Sequence, residues 1–454
     1  MGEPELLHLE VSAARSGRAP ATWGQQAIWD AVLALGDDGH FYNVKVGFEF
    51  PSPYPRAAVL EVLTHAARLH ETLRTRLEPE ASGALTQILD ATCRIPVTIR
   101  TCAREDTERL GGELLAELCA LPYDFAKDWP LRIGLVEADG LVRHFVMVLS
   151  HTAVDGGGMR RLVRDLFMML GGVPPQELRE LFPATQPLDE AAYQQSERGR
   201  KRDAASRRYW ISKLSTGPRR LFPPRGERAP DAEFPYVKLY SPALLPAVDH
   251  VAAARGVSGA SVLLAAAVQQ TARLGESAEP LLQVVVSNRF LPGMAETITT
   301  VAQEGLFHLR TGYEDFGTLL RSVHTSALGT YRYASYDKRL LDRDIEELRG
   351  QLPDVADYSC FFNDTREPEL FRPAAEDTEE LPLARARELT TLDWPGECSP
   401  RKHITFAVNV DDAPGAVKLA ITANTSLIPR KDMESFLWGM EEAVIEDALA
   451  TGCV

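Results

Sequence analysis

The stretch at 141–149 (LVRHFVMVL) is almost unbroken in its apolarity, the mark of a strand buried on both faces. At 159–170 (MRRLVRDLFMML), Met159, Leu162, Val163, Leu166 and Phe167 return at helical spacing, so an amphipathic helix follows. Between the two runs lies Ser150-His151-Thr152-Ala153-Val154-Asp155-Gly156-Gly157-Gly158. A buried strand feeding such a helix through a short polar joint constrains the chain to a layered α/β architecture. It also leaves the joint exposed at a strand end, a common address for functional side chains. A His-x-x-x-Asp-Gly string should arise by chance about 0.05 times in a chain of this composition.

The residue types in the joint suit acyl chemistry. Imidazole is the side chain that ordinarily serves as a base near neutral pH. His151 could take the proton from an amine or hydroxyl that attacks an acyl carbonyl. Asp155 is placed to hold the loop by pairing with an arginine rather than to face the reaction. Gly156, Gly157 and Gly158 would permit tight turns and close substrate approach.

The rest of the chain alternates helices and strands. Helices are expected at 22–35, 56–70, 190–213, 242–254, 259–273 and 429–447. Strands are expected at 42–50, 281–287, 404–410 and 417–424, with a further strand pair and helix in 85–120. The stretch 171–235, rich in Pro, Gly, Arg and Gln, reads as a crossing between two lobes. The segment 364–402 is Pro-rich, charged and aperiodic, and loops of that length are usually functional.

Composition narrows the function. The 454 residues suggest about three domains or two large lobes. Forty-nine Lys+Arg against 64 Asp+Glu leave a net charge of −15, which repels a phosphate backbone, so no nucleic-acid partner is expected. Six cysteines show no C-x-x-C pattern, so neither a structural metal nor a disulfide framework is expected. The N-terminus lacks a signal-peptide pattern, and 260–268 is too short to span a bilayer, so a cytoplasmic protein with no membrane partner is expected. No hydrolase elbow, P-loop or dinucleotide glycine pattern occurs. His70 reads as a packed or capping residue, and Cys360 as a buried thiol.

Several segments, in order along the chain, resemble the condensation domains of nonribosomal peptide synthetases, within the acyltransferase superfamily that includes chloramphenicol acetyltransferase. Thr22-Trp23-Gly24-Gln25-Gln26-Ala27-Ile28-Trp29 is similar to the family's opening S-x-A-Q-x-R-L-W. Leu69-His70-Glu71-Thr72-Leu73-Arg74-Thr75 is similar to R-H-E-x-L-R-T. Tyr123-Asp124-Phe125 with Pro130-Leu131-Arg132 resembles F-D-L…P-L-R, and Tyr209-Trp210 resembles the Y-W of the inter-lobe helix. Val284–Arg289 (VVVSNR) resembles a strand ending in Gly-Arg.

The resemblance implies an α/β (α+β) fold of two acetyltransferase-like lobes, arranged as a V-shaped pseudo-dimer with an active-site tunnel between them. The first lobe would span 1–175, the crossing 176–235 and the second lobe 236–454. A floor loop is expected at about 287–310 and a latch at about 364–402. The likeness implies a catalytic His151, a structural Asp155 paired with Arg74 or Arg289, and a Gly156 backbone N–H near the reacting groups. Ser150, Gly157, Trp23, Ser287 and Arg132 would be tunnel residues. No resident cofactor is implied; the substrate would ride on the phosphopantetheine arm of an acyl or peptidyl carrier protein, and the acceptor would be a small amine or alcohol.

No adenylation, carrier or thioesterase segment is read, so a freestanding, monomeric enzyme is expected. Arg-rich stretches at 160–164 and 198–208 are candidate docking surfaces for an acidic carrier. Three departures stand out: Ser150 replaces the first His of the family motif, Ala27 replaces an Arg, and Thr300–Arg310 keeps the final Arg but lacks the usual Gly and Asn. Two alternatives follow. One is an O-acyltransferase that uses acyl-CoA, for which Ser150 is mild support. The other is a non-catalytic binding platform on the same fold, which the intact His151, Asp155 and Gly156 disfavour.

Overall fold

The computed structural model describes residues 4–222, 233–311, 315–366, 381–397 and 404–453. The chain forms two compact units, Met1–Lys201 with Ser287–Ala302, and Arg202–Val286 with Gln303–Val454. Each is built on a mixed sheet backed by helices, which is the layered α/β class expected from the sequence.

The first unit opens with β1 (Glu5–Ser12), β2 (Gly17–Pro20) and α1 (Trp23–Leu35). A reciprocal cap starts α1: the Gln25 N–H donates to the Thr22 hydroxyl, and the Thr22 N–H donates to the Gln25 side-chain oxygen, 2.8 Å. There follow β3 (Val44–Tyr54), α2 (Arg56–Leu69), β4 (Thr75–Pro79), β5 (Leu85–Leu89), β6 (Thr92–Thr101), α3 (Thr107–Ala120), β7 (Leu131–Ala138), β8 (Leu141–Leu149) and α4 (Gly156–Leu170). Strands β1-β6-β7-β8-β3 make a five-stranded sheet; β2, β5 and β4 make a small separate one.

Strand β8 runs through the middle of the layers. Phe145, Met147 and Leu149 pack with Leu63 of α2 and Leu162 and Leu166 of α4, while Val146 and Val148 pack with Leu110, Leu114 and Leu118 of α3. Burial on both faces explains its uninterrupted apolar sequence.

The stretch 171–235 holds three described helices where one was expected: α5 (Pro175–Leu181), α6 (Pro187–Gln195) and α7 (Glu197–Thr216). Prolines at the first turns of α5 and α6 read as breaks in the sequence, yet Pro is well tolerated there.

The second unit contains β9 (Pro235–Ser241), α8 (Leu244–Arg255), α9 (Gly259–Leu274), β10 (Leu281–Val286), β11 (Gln303–His308), α10 (Phe316–Arg332), α11 (Lys338–Gln351), β12 (Cys360–Asp364), α12 (Leu383–Glu388), β13 (Thr391–Glu397), β14 (Phe406–Ala413), β15 (Ala416–Ala423) and α13 (Arg430–Ala450). Its seven strands run β11-β10-β12-β14-β15-β9-β13. Val262–Val268 of α9 are buried on every side, which accounts for the most apolar stretch in the chain. Among the described residues no single helix is long and apolar enough to cross a membrane.

Two expectations need correction. The aperiodic 364–402 contains α12 and an edge strand, β13, which pairs antiparallel with β9. Its alternation is short, since only Leu392 and Trp394 pack on the core before Pro395 and Gly396; residues 367–380 and 398–402 of the expected latch lie outside the described residues. Within the expected floor loop, Gln303–His308 is regular strand, paired antiparallel with β10.

Candidate active site

His151 stands in the turn between β8 and α4. The turn is fixed from several directions inside the first unit. The Ser150 N–H donates to the Pro130 carbonyl, 3.0 Å, and the Ala153 N–H donates to the Ser150 carbonyl, 2.9 Å. The Thr72 hydroxyl donates to the Ala153 carbonyl, 2.6 Å, and the Thr300 hydroxyl to the His151 carbonyl. Gly24 lies against the Thr300 carbonyl so closely that a Cβ would overlap it. The backbone of His151 is therefore held, and the residue as a whole is half-buried. The Tyr42 ring lies 6.0 Å away, centroid to centroid, tilted by 44°.

Asp155 caps α4 and gathers the surrounding chain. One carboxylate oxygen accepts the Gly158 N–H, 2.8 Å, and a guanidinium N–H of Arg289. The other accepts the N–H groups of Val301 and Ala302, 3.0 and 3.1 Å. Arg289 in turn donates to the Thr297 carbonyl, 3.1 Å. Asp155 and Arg289 are both buried, an ion pair completed by backbone partners, the condition under which burying charge is tolerated. Just before Arg289, Asn288 adopts φ 57°, a left-handed turn open to Asn, and its side-chain amide donates to the Val301 carbonyl, 2.9 Å.

Electrostatics separate the two functional groups. Burial pushes the His151 imidazole below its ordinary range; backbone groups of its loop and the Asp155 charge oppose this without reversing it. A neutral ring at neutral pH is the form able to accept a proton. Burial would raise the Asp155 carboxyl, but the Arg289 guanidinium and the Gly158 and Val301 N–H groups outweigh it and hold it low. Nδ1 of His151 is buried against its own loop, with no well-aligned hydrogen bond from the described residues.

The other sequence-derived candidates fall in varied places. Arg289, not Arg74, reaches Asp155. The buried Arg74 donates to the backbone carbonyls of Ala67, 2.8 Å, Arg15, 3.3 Å, and Asp90. Ser150 is buried; its hydroxyl shares a hydrogen bond with that of Thr152, 2.7 Å, and accepts the Thr152 N–H. Trp23 is buried in the first turn of α1, its N–H donating to the Gln194 side-chain oxygen, 2.9 Å. Arg132 lies over the Tyr123 ring at 3.7 Å and donates to the Leu121 and Pro122 carbonyls, a staple for the chain entering β7. Ser287 is exposed.

The expected glycine turn is absent: Gly156, Gly157 and Gly158 form the first turn of α4, none at positive φ. Gly158 is the cramped one, since a Cβ there would sit 2.7 Å from the Val154 side chain and 3.3 Å from Arg289; Gly156 has room. The Gly157 carbonyl accepts from Arg161, 3.1 Å. Of the proposed docking arginines, Arg164 is held by Asp165 and Glu296, and Arg207 by Asp203 and Asp344. Cys360 is buried, its thiol pushed up by burial.

Sequence reasoning missed Thr72, Thr300, Gly24 and the Val301–Ala302 amides. Nothing local marks a Thr as the residue that grips a distant carbonyl, and backbone donors leave no trace in sequence.

The condensation domain model matches residues 16–450, nearly the whole chain. The chain belongs to the condensation domain family. Condensation domains serve acyl transfer in nonribosomal-peptide and polyketide assembly. One relative is a probable non-canonical nonribosomal peptide synthetase, CymA of Salinispora arenicola, 26% identical over 350 residues, covering 72% of this chain and 4% of that protein. The matched region thus spans a small fraction of the curated relatives' length. Among solved structures, the condensation domain from the monacolin K polyketide synthase MokA aligns with TM-score 0.71 at 16% identity, covering 96% of this chain and 98% of that one. The epimerization domain from the third module of tyrocidine synthetase B aligns with TM-score 0.69 at 14% identity, covering 97% and 99%. These likenesses show the fold, which accommodates more than one reaction.

Proposed function

We propose that this condensation domain is an acyltransferase that joins a thioester-bound acyl or aminoacyl donor, carried on the phosphopantetheine arm of a carrier protein, to an amine or hydroxyl acceptor. One observation carries the reading: a half-buried histidine, its imidazole pushed below its ordinary range by burial, stands at the end of β8 in a loop that the buried Asp155–Arg289 pair locks in place. His151 takes the acceptor's proton as its nitrogen or oxygen attacks the thioester carbonyl. The tetrahedral intermediate collapses, the C–S bond breaks, and the thiol leaves with a proton. Asp155 and Arg289 act as positioning residues, since both are buried and both carboxylate oxygens of Asp155 are already accepting hydrogen bonds. The rest is orientation, which contributes several kcal/mol when both reactants are held in line.

Ser150 gives no support to the alternative that uses acyl-CoA, because its hydroxyl is spent inside the loop. The test is His151→Ala assayed with an acyl-loaded carrier protein and a panel of amines and alcohols, beside the matching CoA thioester. Product formed by the variant at the wild-type rate removes His151 from the reaction. Faster turnover of the CoA thioester by the wild type overturns the carrier assignment.

A further inference from the structure

The first unit contains a cavity of about 390 Å³ at a place the acyl-transfer reading does not use. It opens between the chain after β1, the end of α2 and helix α5, and its volume lies in the range of small-ligand sites. In a chain of net charge −15, its lining holds Arg15, Arg68, Arg74 and Arg179 against the carboxylates Glu71 and Asp165.

These charges are not equally committed. Arg15 is clamped by Asp189, 2.6 Å, and Glu71, 3.2 Å. Arg74 is turned onto backbone carbonyls. Arg68 donates only to the Ser12 carbonyl, 3.2 Å, and neither it nor Arg179 has an acidic partner among the described residues. Both are exposed and line the cavity, so two cationic side chains are available to an anion. Glu71, also in the lining, is 7% exposed, and its second carboxylate oxygen has no donor among the described residues. A buried carboxylate oxygen without a donor costs free energy that a ligand's N–H would recover. Leu178 and Phe182 add an apolar wall.

We propose that this cavity binds a small zwitterion, an amine-bearing carboxylic acid of amino-acid size, with its carboxylate against Arg68 and Arg179 and its ammonium at Glu71. A plain anion would satisfy the arginines and leave the Glu71 oxygen worse off, so the two ends together select the zwitterion. The site adjoins the catalytic loop, because Thr72, next to Glu71, donates to the Ala153 carbonyl. The proposal does not depend on the acyl-transfer reading.

The experiment is isothermal titration calorimetry of the full chain with L-alanine, L-leucine and L-phenylalanine separately, then with leucinamide, N-acetyl-leucine and inorganic phosphate. At least one amino acid gives saturable heat, and removing either charged end weakens binding tenfold or more. Arg68→Glu combined with Arg179→Glu, both at exposed positions, weakens the amino acid at least tenfold. Glu71→Gln narrows the gap between leucine and N-acetyl-leucine. The proposal is overturned by the absence of saturable heat with any amino acid up to about 10 mM. It is equally overturned by amino-acid binding that the double arginine variant leaves unchanged, or by phosphate binding alone that Glu71→Gln does not alter.

Discussion

The two units repeat one core and use it differently. In the first, β6-β7-β8-β3 pair in the order parallel, antiparallel, antiparallel; in the second, β12-β14-β15-β9 pair in the same order. Strand β3 leads into α2 as β9 leads into α8, and β8 leads into α4 as β15 leads into α13. Even the first loop hydrogen bond recurs: the Ser150 N–H reaches the residue before β7, and the Asn424 N–H reaches Thr405, the residue before β14, at 2.9 Å. Yet one joint reads Ser-His-Thr-Ala-Val-Asp and the other Asn-Thr-Ser-Leu-Ile-Pro. The second turn is closed by Asn424, which accepts the Ser426 N–H at 3.0 Å, and α13 has no side-chain cap. The common frame thus supplies a strand end and a helix start; what distinguishes the candidate site is which side chains fill the gap and a separate segment, Ser287–Ala302, that braces one gap.

The comparison breaks most readily at His151. His151→Ala lowers product formation by roughly 10²–10⁴-fold, whereas Ser426→Ala in the matching loop leaves the rate unchanged; steady-state assays of both variants decide this. Stability comes next. Asp155→Ala strands the buried Arg289 guanidinium and costs about 3–5 kcal/mol, whereas Asn424→Ala costs about 1 kcal/mol, read from urea unfolding. Gly24→Ala drives a methyl into the Thr300 backbone, at about 1–3 kcal/mol, and lowers kcat by displacing the group that holds the His151 carbonyl. The smallest effect is that of Thr300→Val, about 0.5–1.5 kcal/mol, with Thr405→Val near Asn424 as the control that leaves kcat alone.

A pH series sharpens the same contrast. Because His151 titrates below its ordinary range, the acid limb of kcat/KM falls below pH ~6.5. The unfolded chain binds this proton at higher pH than the folded one. Stability therefore falls as the pH drops from about 6.5 to the folded-state value, and is flat below it. Thermal melts across that window, compared with His151→Ala, isolate the contribution; a variant with the wild-type pH slope assigns the effect to other groups.

Much of the site was legible because strong constraints write themselves into sequence. A strand packed on both faces must be apolar, so β8 announced itself, and the polar break after it located His151 and Asp155. The charge on Asp155 demanded an arginine, but sequence could offer Arg74 and Arg289 equally, since both stand in family-like motifs. Only the fold shows that Arg74 answers to backbone carbonyls. Strands β11 and β12 escaped because six and five residues are too few to show a period; helices α10 and α11 do carry start signals, the N-caps Asp315 and Asp337. Edge strand β13 escaped because its alternation is confined to Leu392 and Trp394, with Pro395 and Gly396 directly after them.

The segment that braces Asp155 is encoded far downstream of the loop it completes. On the ribosome, residues up to Lys201 emerge roughly a hundred positions ahead of Ala302. During that interval the aspartate has no guanidinium to meet and no Val301 or Ala302 amides to accept. The nascent chain carries its imidazole early, but the setting that gives that ring a fixed address arrives only after the first strands and helices of the second unit have been translated.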